Sequence, residues 1–145
     1  MSELNLIITA ENFNLIIVAL CGIYSLEEDF IKNGDRKKAI LVKTSILAYR
    51  QNPETDRWVS KDVGILTEVL WYCLDLLYTN KEKAKEELHS MMEEAMEKDT
   101  YNAVGTGRYC KCVFGLIETL QRKGFRRFSE CSGYFEDDAL VIDFN

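Results

Sequence analysis

The stretch that most constrains the fold is residues 60–79, SKDVGILTEVLWYCLDLLYT, which is apolar on nearly every side of a helix. One stripe at helical spacing contains Val63, Leu66, Leu70, Leu74 and Leu77. The polar edge is narrow and comprises Lys61, Glu68 and Asp75. Such a helix is buried among other helices, and this one is too short and too charged to span a membrane. The sequence therefore predicts a mainly α single domain over residues 1–145, a five-helix bundle around this central helix.

The other predicted helices cover residues 9–30 and 36–50, a segment from residue 80 onwards, and residues 108–123. Thr9 is the expected N-cap of the first helix, and Asn33-Gly34 is the expected stop. Residues 99–107, which contain two glycines, are predicted to form a loop. In the polar loop 52–59, Trp58 is expected to pack onto the core as a lid.

The C-terminal stretch lacks a helical stripe. Ser132-Gly133 lies between two aromatic-rich runs and predicts a hairpin turn, and residues 139–144 are apolar and β-branched enough for a strand. Together with residues 3–8, this strand is expected to form a small sheet at one end of the bundle. The alternative is a sixth short helix after Asp137.

The composition favours an intracellular protein that binds another protein. The chain carries a formal net charge of −6, which disfavours general nucleic-acid binding and suits a partner with a basic surface. It has five cysteines, so one cannot pair within the chain, and its first residues do not resemble a signal peptide. We therefore expect a cytoplasmic protein, and the sequence leaves its oligomeric state open.

Few residues suit catalysis or metal binding. Cys110, Cys112, Cys131 and the single histidine, His89, are the only candidates for a zinc site, but two cysteines one residue apart on a helix point in opposite directions. No base is placed beside a nucleophile by local sequence. The sequence predicts no metal, no cofactor and no catalytic residue, and it argues against an enzyme.

Two alternatives remain open from the sequence. Glu68 and Asp75 lie on the most buried helix, and together they are candidates for acid–base chemistry or ligand binding in an interhelical pocket. Basic and aromatic residues alternate over Arg122–Arg127, a pattern that suits phosphate or nucleic-acid binding. Val104–Arg108 resembles a phosphate-binding loop only weakly, because it lacks the complete glycine pattern.

The C-terminal tail is the best candidate for a partner-binding site. It combines aromatic residues with carboxylates, in the set Tyr134, Phe135, Glu136, Asp137, Asp138 and Asp143. Aromatic anchors inside a charged rim are typical of protein interfaces. By analogy of size and charge, we expect a non-catalytic acidic inhibitor of the immunity or viral type that neutralises a basic effector.

Overall fold

The computed structural model describes residues 5–98, 100–123 and 131–144, and it is mainly helical with a small antiparallel sheet. The elements are β1 (Asn5–Ile8), α1 (Ala10–Tyr24), α2 (Leu26–Lys32), α3 (Arg36–Gln51), α4 (Val63–Thr79), α5 (Lys81–Lys98), α6 (Thr100–Arg122), β2 (Cys131–Glu136) and β3 (Ala139–Phe144). The predicted combination of a helical domain with a small sheet is confirmed.

The predicted first helix is divided into two. Thr9 caps α1 as expected, because its hydroxyl accepts a hydrogen bond from the Asn12 amide at 3.2 Å. Ser25 then takes a left-handed conformation, with φ of 51°, and ends α1 after Tyr24. The turn lets α2 bury Leu26 and Phe30 in the core. The described residues consequently contain six helices, and the prediction of five is wrong at this break.

The predicted loop at residues 99–107 is also corrected, because α6 already begins at Thr100. The glycine at position 107 lies inside this helix and serves close packing. A Cβ atom there would lie 3.2 Å from the terminal methyl carbon of Met92 on α5. The sequence pattern was misleading because a glycine at a helix–helix contact looks like a loop glycine when the contact is unknown.

Two helices share the centre of the core. The predicted central helix is α4, which packs against α1, α3, α5, α6 and β2. Its N-cap is Asp62, whose carboxylate accepts a hydrogen bond from the Ile65 amide at 3.2 Å. α1 contacts all five other helices and buries eight of its fifteen residues. The bundle is therefore built around α1 together with α4, and not around α4 alone.

The sheet has the strand order β1-β3-β2, and both strand pairs are antiparallel. The predicted pairing of the N-terminal strand with residues 139–144 is confirmed by the register Leu6–Ile142. The hairpin turn consists of Asp137 and Asp138, and not of Ser132-Gly133, which lies within β2. Gly133 instead allows a close approach to α4, where an added Cβ would lie 2.7 Å from the Thr67 methyl carbon.

Candidate protein-binding site

The strand register divides the sheet into an inner and an outer face. Side chains alternate between the two faces of a strand, so residues paired across the sheet share a face. On the inner face, the cross-strand partners Leu6 and Ile142 are both buried, and Phe135 packs against the core. The residues one position away therefore belong to the outer face, and they include most of the predicted site.

An apolar row crosses the outer face of all three strands. Ile7 pairs with Val141, and Val141 pairs with Tyr134. Ile7 is 61% exposed and Tyr134 is 40% exposed, whereas Val141 between them is buried. Two exposed apolar side chains beside a third make a small hydrophobic centre.

Carboxylates border this apolar row on two sides. Asp143 lies on the outer face between its partners Asn5 and Ser132. On the opposite side, exposed Glu136, Asp137 and Asp138 form the end of the hairpin. We call Glu136–Asp138 the acidic tip. An apolar centre inside a charged rim is the arrangement found in many protein–protein interfaces.

The backbone of the acidic tip is unusual for its residues. The two-residue turn has positive φ at both positions, 52° at Asp137 and 65° at Asp138. Turns of this kind favour Asn-Gly or Asp-Gly, because glycine adopts positive φ without a steric penalty. Two consecutive aspartates place two negative charges side by side in a conformation that neither prefers.

Trp58 supports the acidic tip from the inner side of the sheet. Its indole Nε1 donates a hydrogen bond of 2.9 Å to the Asp138 carbonyl oxygen. Its ring contacts Phe135 with centroids 5.1 Å apart and Phe13 on α1 with centroids 5.7 Å apart. The predicted packing of Trp58 onto the core is confirmed, and its hydrogen bond fixes the tip to the helical body.

The loop that carries Trp58 is itself anchored through Arg108. The guanidinium Nη2 donates to the Glu11 carboxylate at 2.6 Å and to the Pro53 carbonyl oxygen at 3.5 Å. These contacts join α6, α1 and the loop. The weak phosphate-loop resemblance at residues 104–108 is thereby corrected, since the segment lies inside α6 and its arginine is paired with a carboxylate.

Most of the predicted site residues lie together. Tyr134, Glu136 and Asp143 belong to the outer face, and the two aspartates form the turn. Phe135 is half-buried on the inner face, where it supports the tip through Trp58. Sequence reasoning missed Ile7 as a site residue, although the alternation of buried Leu6 and Ile8 around it follows once β1 is paired with β3.

The residues of the two alternative sites lie elsewhere. Glu68 is exposed and its carboxylate lies 3.5 Å from the Lys38 ammonium. It borders an open groove of about 430 Å³ at the start of α3, lined by residues 34–38, Ile65 and Glu68 itself. Asp75 is exposed on α4 and is not part of that lining. In the basic segment Arg122–Arg127, the residues from 124 onwards lie outside the described residues.

Cys21, Cys73, Cys110 and Cys112 pack as hydrophobic residues. Burial raises the pKa of the Cys21, Cys110 and Cys112 thiols to about 11, so they stay protonated near neutral pH. The Cys110 thiol also donates to the Leu88 carbonyl oxygen at 3.6 Å. His89 is exposed and lies 3.0 Å from the Glu93 carboxylate. In the part of the chain that the structure describes, no three His, Cys, Asp or Glu side chains converge on a metal position.

No protein-family model, curated protein or solved structure matches the chain. Within residues 5–98, 100–123 and 131–144, none of the helices has the length and apolarity that crossing a membrane requires.

Proposed function

We propose that this chain is a non-catalytic protein-binding protein that docks its acidic tip and the outer face of its sheet on a basic surface of another protein. The observation that carries the proposal is the pair of adjacent aspartates at positive φ. Left-handed backbone costs an ordinary residue roughly 1–2 kcal/mol, and aspartate somewhat less. A turn selected only for stability favours glycine at one of these positions.

The backbone strain at Asp137 and Asp138 indicates a function, because the two carboxylates contribute no stabilising contact to the fold among the described residues. Both aspartates are exposed, and their like charges repel each other. The support from Trp58 engages the backbone of Asp138 and leaves its carboxylate unused. Local rules of turn chemistry are broken most often at functional positions. We infer that the carboxylates are present for an interaction outside the chain.

The apolar residues of the outer face supply binding free energy that the charges of the acidic tip alone do not provide. Charged rims accelerate encounter and select partners, whereas apolar and aromatic centres supply most of the binding free energy. Tyr134 is an aromatic anchor with a polar hydroxyl, and Ile7 extends the apolar contact across the sheet. In this proposal, the tip steers the partner and the apolar row holds it.

In its specific form, the proposal is that the chain neutralises its partner through this contact. The net charge of −6 attracts basic proteins at a distance, and a tip fixed in advance loses little entropy on binding. An acidic inhibitor of a basic effector, of the immunity or viral type, fits these properties. A cytoplasmic setting, which the free thiols of Cys21, Cys73, Cys110 and Cys112 favour, is part of the same proposal.

The test is a quantitative affinity capture from a lysate of the cells that naturally produce the chain. Three immobilised baits are compared: the natural chain, a turn variant Asp137→Asn/Asp138→Gly, and a control variant Glu28→Gln/Glu118→Gln. The turn variant gives the favoured Asn-Gly turn while removing two charges. The control removes two charges from exposed positions on α2 and α6.

We expect one basic protein to be retained in stoichiometric amount by the natural chain and by the control. It should be lost from the turn variant, and it should be released as salt rises, because screening weakens contacts between exposed charges. Equal capture by all three baits, or no retained protein at low salt, would contradict the proposal. A Tyr134→Ala bait adds a check on the apolar row, since it keeps every carboxylate.

A further inference from the structure

The outward face of α3 carries a stripe that the proposed function does not use. Arg36, Lys43 and Arg50 follow one another at intervals of seven residues, and Ile40 and Leu47 lie between them. All five are exposed, Ile40 to 64% and Leu47 to 47%. Because seven residues make nearly two helical turns, the five side chains lie on one line along the helix. We call this line the basic stripe.

The basic stripe is unusual in an acidic protein. α3 contains no acidic residue, although the chain as a whole has 24. Among the described residues, none of the three stripe cations takes part in an ion pair. Lys38, which lies off the stripe, is instead held within 4 Å of both Asp35 and Glu68. The stripe therefore offers unpaired positive charge together with exposed aliphatic surface.

The outward face of α5 has the complementary pattern. Its exposed residues on one line are Glu82, Glu86, His89, Glu93 and Met96. Glu86 and Glu93 are seven residues apart, as are His89 and Met96, and Met96 is 65% exposed. We call this line the acidic stripe. Glu86 and Glu93 have the same seven-residue spacing as the cations on α3, and Met96 is the one apolar residue of the stripe.

We propose that the basic stripe of one copy of this chain docks along the acidic stripe of a second copy. Two helices packed side by side match side-chain rows of equal period, which is the basis of heptad pairing. The pairing brings Glu86 and Glu93 opposite two cations of the basic stripe, and it places Met96 against one of the two aliphatic residues and His89 against the other. A phosphate polymer leaves the aliphatic residues without a role, and two aliphatic residues are too few to bury a helix in a lipid surface.

The geometry also determines the kind of assembly. The contact joins two different faces, so each added copy still presents one basic and one acidic stripe. The product is a head-to-tail chain or ring of copies. One helix pair is smaller than a standard protein interface, so the association is weak, concentration-dependent and sensitive to salt.

The test uses sedimentation equilibrium of the purified full-length chain at up to about 0.5 mM, where weak contacts are populated. Two charge reversals are compared, Arg36→Glu/Lys43→Glu in the basic stripe and Glu86→Lys/Glu93→Lys in the acidic stripe. The natural chain is expected to rise in average mass with concentration at about 0.05 M salt and to return to monomer at about 0.5 M. Each reversal alone should remain monomeric.

The mixture of the two reversals gives the most specific result. In an equimolar mixture, every contact between the two variants again joins unlike charges, so association should return. The control Arg57→Glu/Lys61→Glu makes the same charge change at exposed positions outside α3 and should associate like the natural chain. Circular dichroism of each variant verifies that it is folded.

Several results would overturn the inference. These are a monomeric natural chain at every concentration, unchanged association of either reversal, or a mixture that stays monomeric. A monomer that instead binds duplex DNA or phosphatidylserine vesicles through Lys43 would also overturn it. The turn variant at Asp137 and Asp138 should associate like the natural chain, so failure of this inference is distinguishable from failure of the proposed function.

Discussion

At the scale of single residues, Gly133 shows how closely the hairpin rests on the helices. A Cβ atom at this position would lie 2.7 Å from the Thr67 methyl carbon and 2.9 Å from its hydroxyl oxygen. The Thr67 hydroxyl is buried and has no hydrogen-bond partner among the described residues. Position 133 therefore requires glycine because Thr67 on α4 lies so close to it. Backbone conformation is not the reason, since the φ of Gly133 is not in the left-handed region.

We expect Gly133→Ala to lower the free energy of unfolding by about 1–3 kcal/mol, the usual cost of forcing an extra carbon into a packed contact. Thr67→Ala removes the two atoms that the new methyl group meets, so it should recover much of this loss in the double variant. Urea denaturation of the four proteins measures the coupling. Additive effects of the two substitutions would contradict the close contact.

The buried thiol of Cys73 makes a separate prediction about pH. Burial, with a smaller contribution from Cys21, raises the pKa of the Cys73 thiol far above its ordinary value of 9.0. The thiol therefore ionises at lower pH in the unfolded chain than in the folded one. Its contribution to stability is complete below pH 9 and is lost as the pH rises further.

Cys73→Ala should lower the unfolding free energy by about 1–2 kcal/mol at pH 7, because it leaves a small cavity. At pH 10 the difference between the two proteins should shrink by about 1.4 kcal/mol, since only the natural chain loses the contribution of the thiol. Denaturation curves at pH 7 and pH 10 test this, and the comparison cancels the titration of lysines and tyrosines. Parallel pH dependence of the two proteins would argue against a protonated buried thiol.

At the scale of secondary-structure elements, the break between α1 and α2 depends on one strained residue. Ser25 has φ of 51° and its side chain makes no capping hydrogen bond. Ser25→Gly should raise the unfolding free energy by about 0.5–1 kcal/mol, because glycine relieves the left-handed strain. Thermal unfolding measures the change.

The matched control for that substitution is Ser90→Gly, on the exposed side of α5. Glycine in a regular helix should lower stability by about 0.5 kcal/mol relative to serine. Opposite signs at the two positions would support the left-handed assignment of Ser25. A loss of stability at both positions would show that the chain continues as one helix through residue 25.

The elements also show where sequence reasoning is sufficient. The helical stripes at α1, α3 and α4 are local patterns that located these helices, and the apolar, β-branched run at residues 139–144 located β3 and its pairing with β1. The break at Ser25 buries Leu26 and Phe30 in the core, and the turn at Asp138 is held by the Trp58 indole, so neither follows from a local sequence pattern. Glycines at positions 107 and 133 were interpreted as loop and turn signals, whereas both admit a neighbouring side chain. The outer face of the sheet, including Ile7, became visible only with the strand register.

At the scale of the whole molecule, the acidic tip and the basic stripe occupy separate surfaces. The acidic tip projects from the sheet, whereas the basic stripe lies on α3, and both coexist in a chain with a net charge of −6. Segregated charge of this kind gives oriented encounters with partners, whereas mixed surface charge mainly gives solubility. The proposed partner and the proposed second copy therefore use different surfaces.

The central claim is that the turn retains two charges at the expense of stability. Asp137→Asn/Asp138→Gly should raise the unfolding free energy by about 1 kcal/mol, because Asn-Gly suits the turn and the repulsion between the carboxylates is removed. Chemical denaturation at low salt measures this gain. A less stable turn variant would show that the aspartates serve the fold, and it would remove the observation on which the proposed function rests.

The most direct measurement is the association rate constant of the captured basic partner with the natural chain and with the turn variant, determined by stopped-flow fluorescence over a range of salt concentrations. The account predicts that the natural chain associates faster, and that its rate falls steeply with salt. The turn variant should associate more slowly, with a rate that depends much less on salt. Equal rates and equal salt dependence for the two proteins would contradict the account, because they would show that the acidic tip does not take part in recognition.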